Sequence, residues 1–179
     1  WECAGVNHLA WFTKFEHNGK SLYPKINKRL KSGEVDITCD HVRFDMMQQF
    51  GAFITESSGH LSEYLPFYRK RKDIREKYCH NGYNGQSSFY ADNWPQWREN
   101  GDKWRTEFGN GEHKDWEVKR SWEYCSYAIE ALEMNRPFVM HSTVPNTGLI
   151  SNLPQNGVVE VACHCDKNGI VPTYFGDLP

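Results

Sequence analysis

No stretch of this 179-residue sequence approaches the about 18 uninterrupted apolar residues of a membrane-spanning helix. The first residues also lack the charged-then-apolar pattern of a secretory signal. An excess of one charge is missing too. Lys and Arg number 21 against 23 Asp and Glu, a formal net charge of −2, which gives no electrostatic case for binding nucleic acid. No Gly-x-Gly-x-x-Gly or P-loop run occurs, and no Gly-x-Ser-x-Gly, so no local motif points to a nucleotide. Internal repeats and low-complexity segments are absent. These absences lead to the expectation of a soluble, cytoplasmic protein with neither membrane nor nucleic acid as partner.

What is present suits one packed domain. The hydrophobic share is 39%, with 7 Trp, 9 Tyr and 10 Phe, enough to bury a core and to argue against wholesale disorder. Six cysteines stand at positions 3, 39, 79, 125, 163 and 165. In a chain that is neither short nor loop-dense they read as reduced, partly buried residues rather than a disulfide framework. The chain opens on Trp1, within what reads as a strand, and closes on Gly176-Asp-Leu-Pro179, so a piece of a longer protein is expected.

Val6 to Phe15 reads as a strand that carries His8 inside it, followed by an Asn18-Gly19 turn. Pro24 suits the first turn of a helix running to Lys31 and ended by Gly33. Asp40 is an expected N-cap for a helix to Phe50, with Val42, Met46 and Phe50 on one face and Gly51 as its stop. Ala52–Thr55 reads as a short strand, and Leu61 to Cys79 as helix in pieces, broken at Pro66. The region from about 80 to 118, rich in Gly and Trp, reads as an irregular loop. A helix is expected over Ser121–Asn135, with Cys125, Ala128, Ile129 and Leu132 as its stripe. Strands follow at Phe138–Val144 and Val158–Cys163. Helices and strands without a βαβ rhythm predict an α+β domain spanning residues 1–179.

The chemistry concentrates in Thr55-Glu56-Ser57-Ser58-Gly59-His60-Leu61-Ser62-Glu63-Tyr64. Acid, base and hydroxyl groups this dense beside an apolar run suit an active-site wall, because buried polar groups each need a partner. If a helix starts at Leu61, Glu63 and Tyr64 fall in its first turn, where the macrodipole favours anions. A tyrosinate there suits removal of a weakly acidic carbon-bound proton. The competing reading makes Ser57 or Ser58 a helix cap and the carboxylates its complement. His8 has no second ligand at i+2 or i+4, so spacing alone favours a core histidine over a metal ligand. Cys163-His164-Cys165 alternates across a strand and reads as core packing.

Taken together, Cys3-Ala-Gly-Val-Asn-His8-Leu-Ala-Trp-Phe12, Val42-Arg-Phe-Asp-Met-Met-Gln-Gln-Phe-Gly51, Thr55–Tyr64, Gly148-Leu-Ile-Ser-Asn-Leu-Pro154, Val159-Glu-Val-Ala-Cys163 and Gly169-Ile-Val-Pro-Thr173 resemble glycoside hydrolase family 4. Within it they are most similar to the α-galactosidase, α-glucosidase and α-galacturonidase branch. The resemblance implies a domain like the C-terminal domain of lactate and malate dehydrogenases, here without its N-terminal Rossmann domain. It implies hydrolysis of α-galactosides by redox elimination, with NAD and Mn²⁺ as cofactors. It also implies, against spacing alone, that His8 is a metal ligand, with the partner ligand and the NAD site upstream of Trp1. Tyr64 would be the base, with Glu56 and His60 near the sugar. Asn7, Asn146 and Asn152 would approach substrate. A homodimer or homotetramer is expected of the full-length protein, and no turnover from these 179 residues alone. Alternatives are an α-galacturonidase or α-glucosidase, a plain lactate/malate-type dehydrogenase, and an inactive sugar-binding fragment.

Overall fold

The computed structural model describes residues 1–38, 40–86, 88–113 and 117–179, so Cys39 lies outside the described residues. Its frame is an antiparallel sheet. β1 (Glu2–Val6) and β2 (Leu9–Lys14) form a hairpin across the two-residue turn Asn7-His8, with Val6 opposite Leu9. Asn7 takes φ 44°, a left-handed conformation that Asn tolerates better than most residues. His8 therefore sits on a tight turn at the hairpin tip, not inside a buried strand as the sequence suggested. Only two polar residues, between apolar segments that read as continuous, mark the turn.

β3 (Glu16–His17) and β4 (Lys20–Ser21) form a separate ribbon around the expected Asn18-Gly19 turn. α1 (Tyr23–Lys31) carries Pro24 in its first turn, and α2 (His41–Phe50) ends on Gly51 at φ 83°. Asp40 precedes α2 as expected, but its side chain does not cap the helix. The cap comes from Ser58, whose Oγ accepts the N–H of Arg43 at 3.1 Å and donates to Asp40 Oδ1 at 2.8 Å. Phe50, expected on the inner face, is 62% exposed.

β5 (Phe53–Ile54) joins the outer side of β2. α3 (Ser58–Tyr64) and α4 (Lys72–Tyr78) then pack with α2 over Ile54. Val42, Met46, Ile54, Leu61, Tyr68 and Cys79 form that cluster, all buried. Full burial of a side chain such as Leu61 contributes about 1.5–3 kcal/mol, so this cluster firmly seats α3.

Residues 80–118 hold the largest departure from expectation. α5 (Phe89–Gly109) is one 21-residue helix through Pro95 and Gly101, and none of its residues is buried. Local pairs support it. Trp104 stacks on Phe108 at 5.2 Å, and Lys103 meets Glu107 at 3.7 Å one turn on. No described helix is both long and apolar enough to cross a membrane.

α6 (Cys125–Met134) buries Ala131 against Met140 and Cys165, with Ala128 beside it. Its inner face is thus the small-residue side, while Ile129 is 56% exposed and Cys125 is also exposed. The expected stripe was rotated, because close helix–sheet approach here uses alanine. β6 (Phe138–Pro145), β7 (Val158–Asp166) and β8 (Gly169–Pro172) complete the sheet, in which β7 pairs β1, β6 and β8. Strict alternation along β7 turns Val159, Val161, Cys163 and Cys165 inward. Cys3, Cys79, Cys163 and Cys165 are buried free thiols, as the sequence suggested. Helices packed on a six-stranded antiparallel sheet, with the β3–β4 ribbon beside it, make the domain α+β.

Candidate active site

Strand pairing builds the site. Trp11 pairs with Ile54, and the N–H of Thr55 bonds to the carbonyl of Ala10 at 2.9 Å. That register carries the chain leaving β5 along β2 to the hairpin tip. Glu56 thereby reaches His8, and its Oε2 pairs with His8 Nδ1. Gly5 is needed beneath the turn: a Cβ there would stand 2.6 Å from Ala10 Cα and 2.7 Å from the carbonyl of Leu9.

Glu56 is 12% exposed at its side chain, His8 50%. Burial opposes ionisation of Glu56. The N–H and hydroxyl of Ser57, together with His8, outweigh it and hold the carboxyl below its usual range. Ser57 is the N-cap of α3, accepting the N–H of His60 on its Oγ. The short helix places His60 Nδ1 3.3 Å from Glu63 Oε2, and Arg69 bridges Glu63 at 3.2 Å and Ser62 Oγ at 3.0 Å. Tyr64, 46% exposed, lies 5.1 Å from the His8 ring and 6.3 Å from the His60 ring, stacked on the latter.

Helix α3 begins three residues earlier than expected, so Glu63 and Tyr64 occupy its last turn and gain nothing from the positive end of the dipole. The serines of the cluster are structural: Ser57 caps α3, Ser58 caps α2 and Ser62 anchors Arg69. His8, Glu56, His60 and Tyr64 are brought together on one wall. Beside it a cleft of about 30 Å³ is lined by Ser57, His60, Glu63, Arg69, Gln86 and Tyr90. A larger apolar pocket of about 380 Å³, between Phe15 and Met47, includes none of these four residues.

The three asparagines separate. Asn7 forms the hairpin tip beside His8. Asn146 is fully buried, and its amide is spent on the loop after β6. Its Nδ2 donates to the carbonyls of Ile150, Leu153 and Pro154 at 3.0–3.2 Å, and its Oδ1 accepts the Ile150 N–H at 3.0 Å. Asn152 pins the chain end through Leu178, at 2.8 and 3.0 Å. The Asn146 amide is spent inside the loop, whereas Asn152 is exposed and keeps a second N–H beyond these two bonds.

Glu160 is a neighbour that motif spacing does not flag. It lies opposite Gly5 on β7, on the face away from the apolar cluster. Burial pushes its carboxyl above the usual range, while a charged His8 pulls the other way. The sequence did carry a signal for it, a carboxylate at the polar phase of Val158-Val-Glu-Val. No group of three or more His, Cys, Asp or Glu residues able to hold a metal exists among the described residues. His8, with Nδ1 engaged and the ring half exposed, fits a cation as one ligand of a larger set.

Residues 3–179 match the sequence profile of the family 4 glycosyl hydrolase C-terminal domain. An α-galactosidase of Bacillus subtilis (strain 168) is 39% identical over 98% of this chain and 40% of its own length. The chain therefore spans about two fifths of that relative. Among solved structures, a putative glucosidase, lplD, from Bacillus subtilis superposes with a TM-score of 0.73 at 23% identity, over 99% of this chain and 42% of its own. A 6-phospho-α-glucosidase from gut microorganisms, solved in complex with NAD and Mn²⁺, gives 0.63 at 22% identity over 99% of this chain and 42% of its own. At these identities the structures establish the shared fold alone.

Proposed function

The chain belongs to the family 4 glycosyl hydrolases, and from that membership we propose that it is the sugar-side portion of an α-galactosidase dependent on NAD and Mn²⁺. The observation that carries the proposal is the His8–Glu56–Tyr64 wall, assembled from the segments that resemble the family. The 39% identity to a named α-galactosidase favours galactosides over other α-linked sugars. The likeness of fold to a glycosidase that binds NAD and Mn²⁺ supports the cofactor pair. A lactate/malate-dehydrogenase-like origin of the domain, cytoplasmic location and a homo-oligomeric full-length protein belong to the same reading.

When bound, the two cofactors supply reversible oxidation at sugar C3 and polarisation of the C2 and C3 oxygens, which acidifies the proton at C2. His8 offers its free ring edge to the cation. Tyr64, against that ring, would take the C2 proton; the glycosidic oxygen would then leave by elimination, gaining a proton from solvent, and water would add to the unsaturated sugar. His60, held by Glu63, lines the same wall and stacks on Tyr64. Asn7 faces the sugar from the hairpin tip.

The test is hydrolysis of p-nitrophenyl α-galactoside by the full-length protein, before and after exhaustive removal of NAD and divalent cations. Loss of turnover, restored only by both together, is expected. Undiminished turnover ends the proposal.

A further inference from the structure

We infer that Glu56 is the positioning carboxylate of His8, fixing its imidazole with Nδ1 engaged and Nε2 free for a divalent cation. The inference rests on the reading of His8 as a metal ligand.

Both oxygens of Glu56 are already committed. Oε1 accepts the N–H of Ser57 at 2.6 Å, and Oε2 meets Nδ1 of His8. With 12% of its side chain exposed, Glu56 has little surface and no uncommitted oxygen to present to a sugar. Its chemistry is spent on the ring. A neutral imidazole carries one N–H and one lone pair, and a carboxylate acceptor at Nδ1 places the hydrogen there. The lone pair is then left at Nε2, oriented by a partner that also strengthens the ring as a donor.

The contact links two parts of the wall that the chain keeps 48 residues apart. His8 stands on a hairpin tip, half exposed, with no helix or strand of its own to hold the ring. Glu56 immediately precedes Ser57, the cap of the helix that carries His60 and Tyr64. One carboxylate therefore ties the cation ligand to the start of that helix, whose Tyr64 ring packs against His8. Without it, the imidazole is free to rotate and to exchange tautomers.

The experiment is a double-mutant cycle read as Mn²⁺ affinity, not turnover. Free Mn²⁺ is titrated by electron paramagnetic resonance into full-length wild type, His8→Ala, Glu56→Ala, Glu56→Gln and the His8→Ala/Glu56→Ala double variant. His8→Ala should weaken binding. Glu56→Ala should weaken it about 10–100-fold, and Glu56→Gln, nearly isosteric and retaining an acceptor, by less. In the His8→Ala background the loss of Glu56 should add nothing, because its effect passes through that ring. A Glu56 effect of equal size with and without His8 reveals a merely structural role and overturns the inference. So does unchanged affinity in both Glu56 variants while His8→Ala weakens binding. If His8→Ala leaves affinity unchanged, the ligand reading itself fails, and the positioning role with it.

Discussion

The ring of Tyr64 lies 5.1 Å from the imidazole of His8, centroid to centroid, with 34° between their planes. The contact joins the hairpin tip to the last turn of α3. In the proposed roles, a base and a cation ligand would stand side by side, as proton abstraction next to a polarised oxygen requires.

Replacing Tyr64 by Phe keeps the ring against His8 and removes only the hydroxyl. In the full-length protein kcat should fall by about 10²–10⁴-fold, the usual contribution of a positioned base, while Mn²⁺ affinity and melting temperature stay near wild type. Retained kcat would disqualify Tyr64.

Much of this wall was legible in the sequence, and the reasons differ by residue. Gly51 ends α2 at φ 83°, where glycine is nearly obligatory, so the boundary announced itself. Ser57 announced itself as a cap by standing before a helical run. The position of His8 was hidden, because its turn is only the two residues Asn7-His8 between two apolar segments. Its partner Glu56 was visible only as a member of a cluster, since strand pairing decides which groups meet. α5 was illegible for another reason. Pro95 and Gly101 cost about 3 and about 1 kcal/mol in helix propensity, and the opposing aromatic and ionic pairs register only once a helical spacing is assumed. Helical spacing alone groups Cys125, Ala128, Ile129 and Leu132, yet of these it is Ala128 that packs inward beside Ala131, because small residues let the helix approach the sheet.

Asn146 is a loop anchor. Asn146→Ala takes the acceptor from the buried N–H of Ile150 and one donor each from the carbonyls of Ile150, Leu153 and Pro154, which keep weaker or backbone partners. Denaturant unfolding should show a loss of about 1–3 kcal/mol, with KM for an α-galactoside unchanged in the folded enzyme. A raised KM with unaltered stability would assign it to substrate instead.

Glu56 should contribute a signed pH dependence. Burial alone would raise its carboxyl, but the Ser57 N–H and hydroxyl and His8 bring it below the ordinary range. A depressed folded-state value stabilises above the unfolded-state value, about pH 4.3, and that stabilisation is lost as pH falls through the folded-state value. Wild type should therefore exceed Glu56→Gln in melting temperature at neutral pH, and the gap should close in acid. A gap that persists unchanged to about pH 2, below the ordinary carboxylate range, contradicts the shift.

Thiol reactivity should follow burial and charge. Burial, then Glu160 and Glu2, push the Cys3 thiol up to about 11, whereas Cys125 is exposed. Iodoacetamide at about pH 8, near the ordinary thiol value, should label Cys125 well before Cys3, Cys79, Cys163 or Cys165, as read by peptide mass spectrometry. Equal labelling of Cys3 and Cys125 would be inconsistent with the buried sheet position of Cys3.

The most direct measurement is the fate of the hydrogen at sugar C2 during turnover by the full-length protein in deuterated water, followed by NMR of the released galactose. Redox elimination predicts solvent deuterium at C2, dependent on both NAD and Mn²⁺ and lost in Tyr64→Phe. Galactose released at full rate with its original C2 hydrogen retained would contradict it.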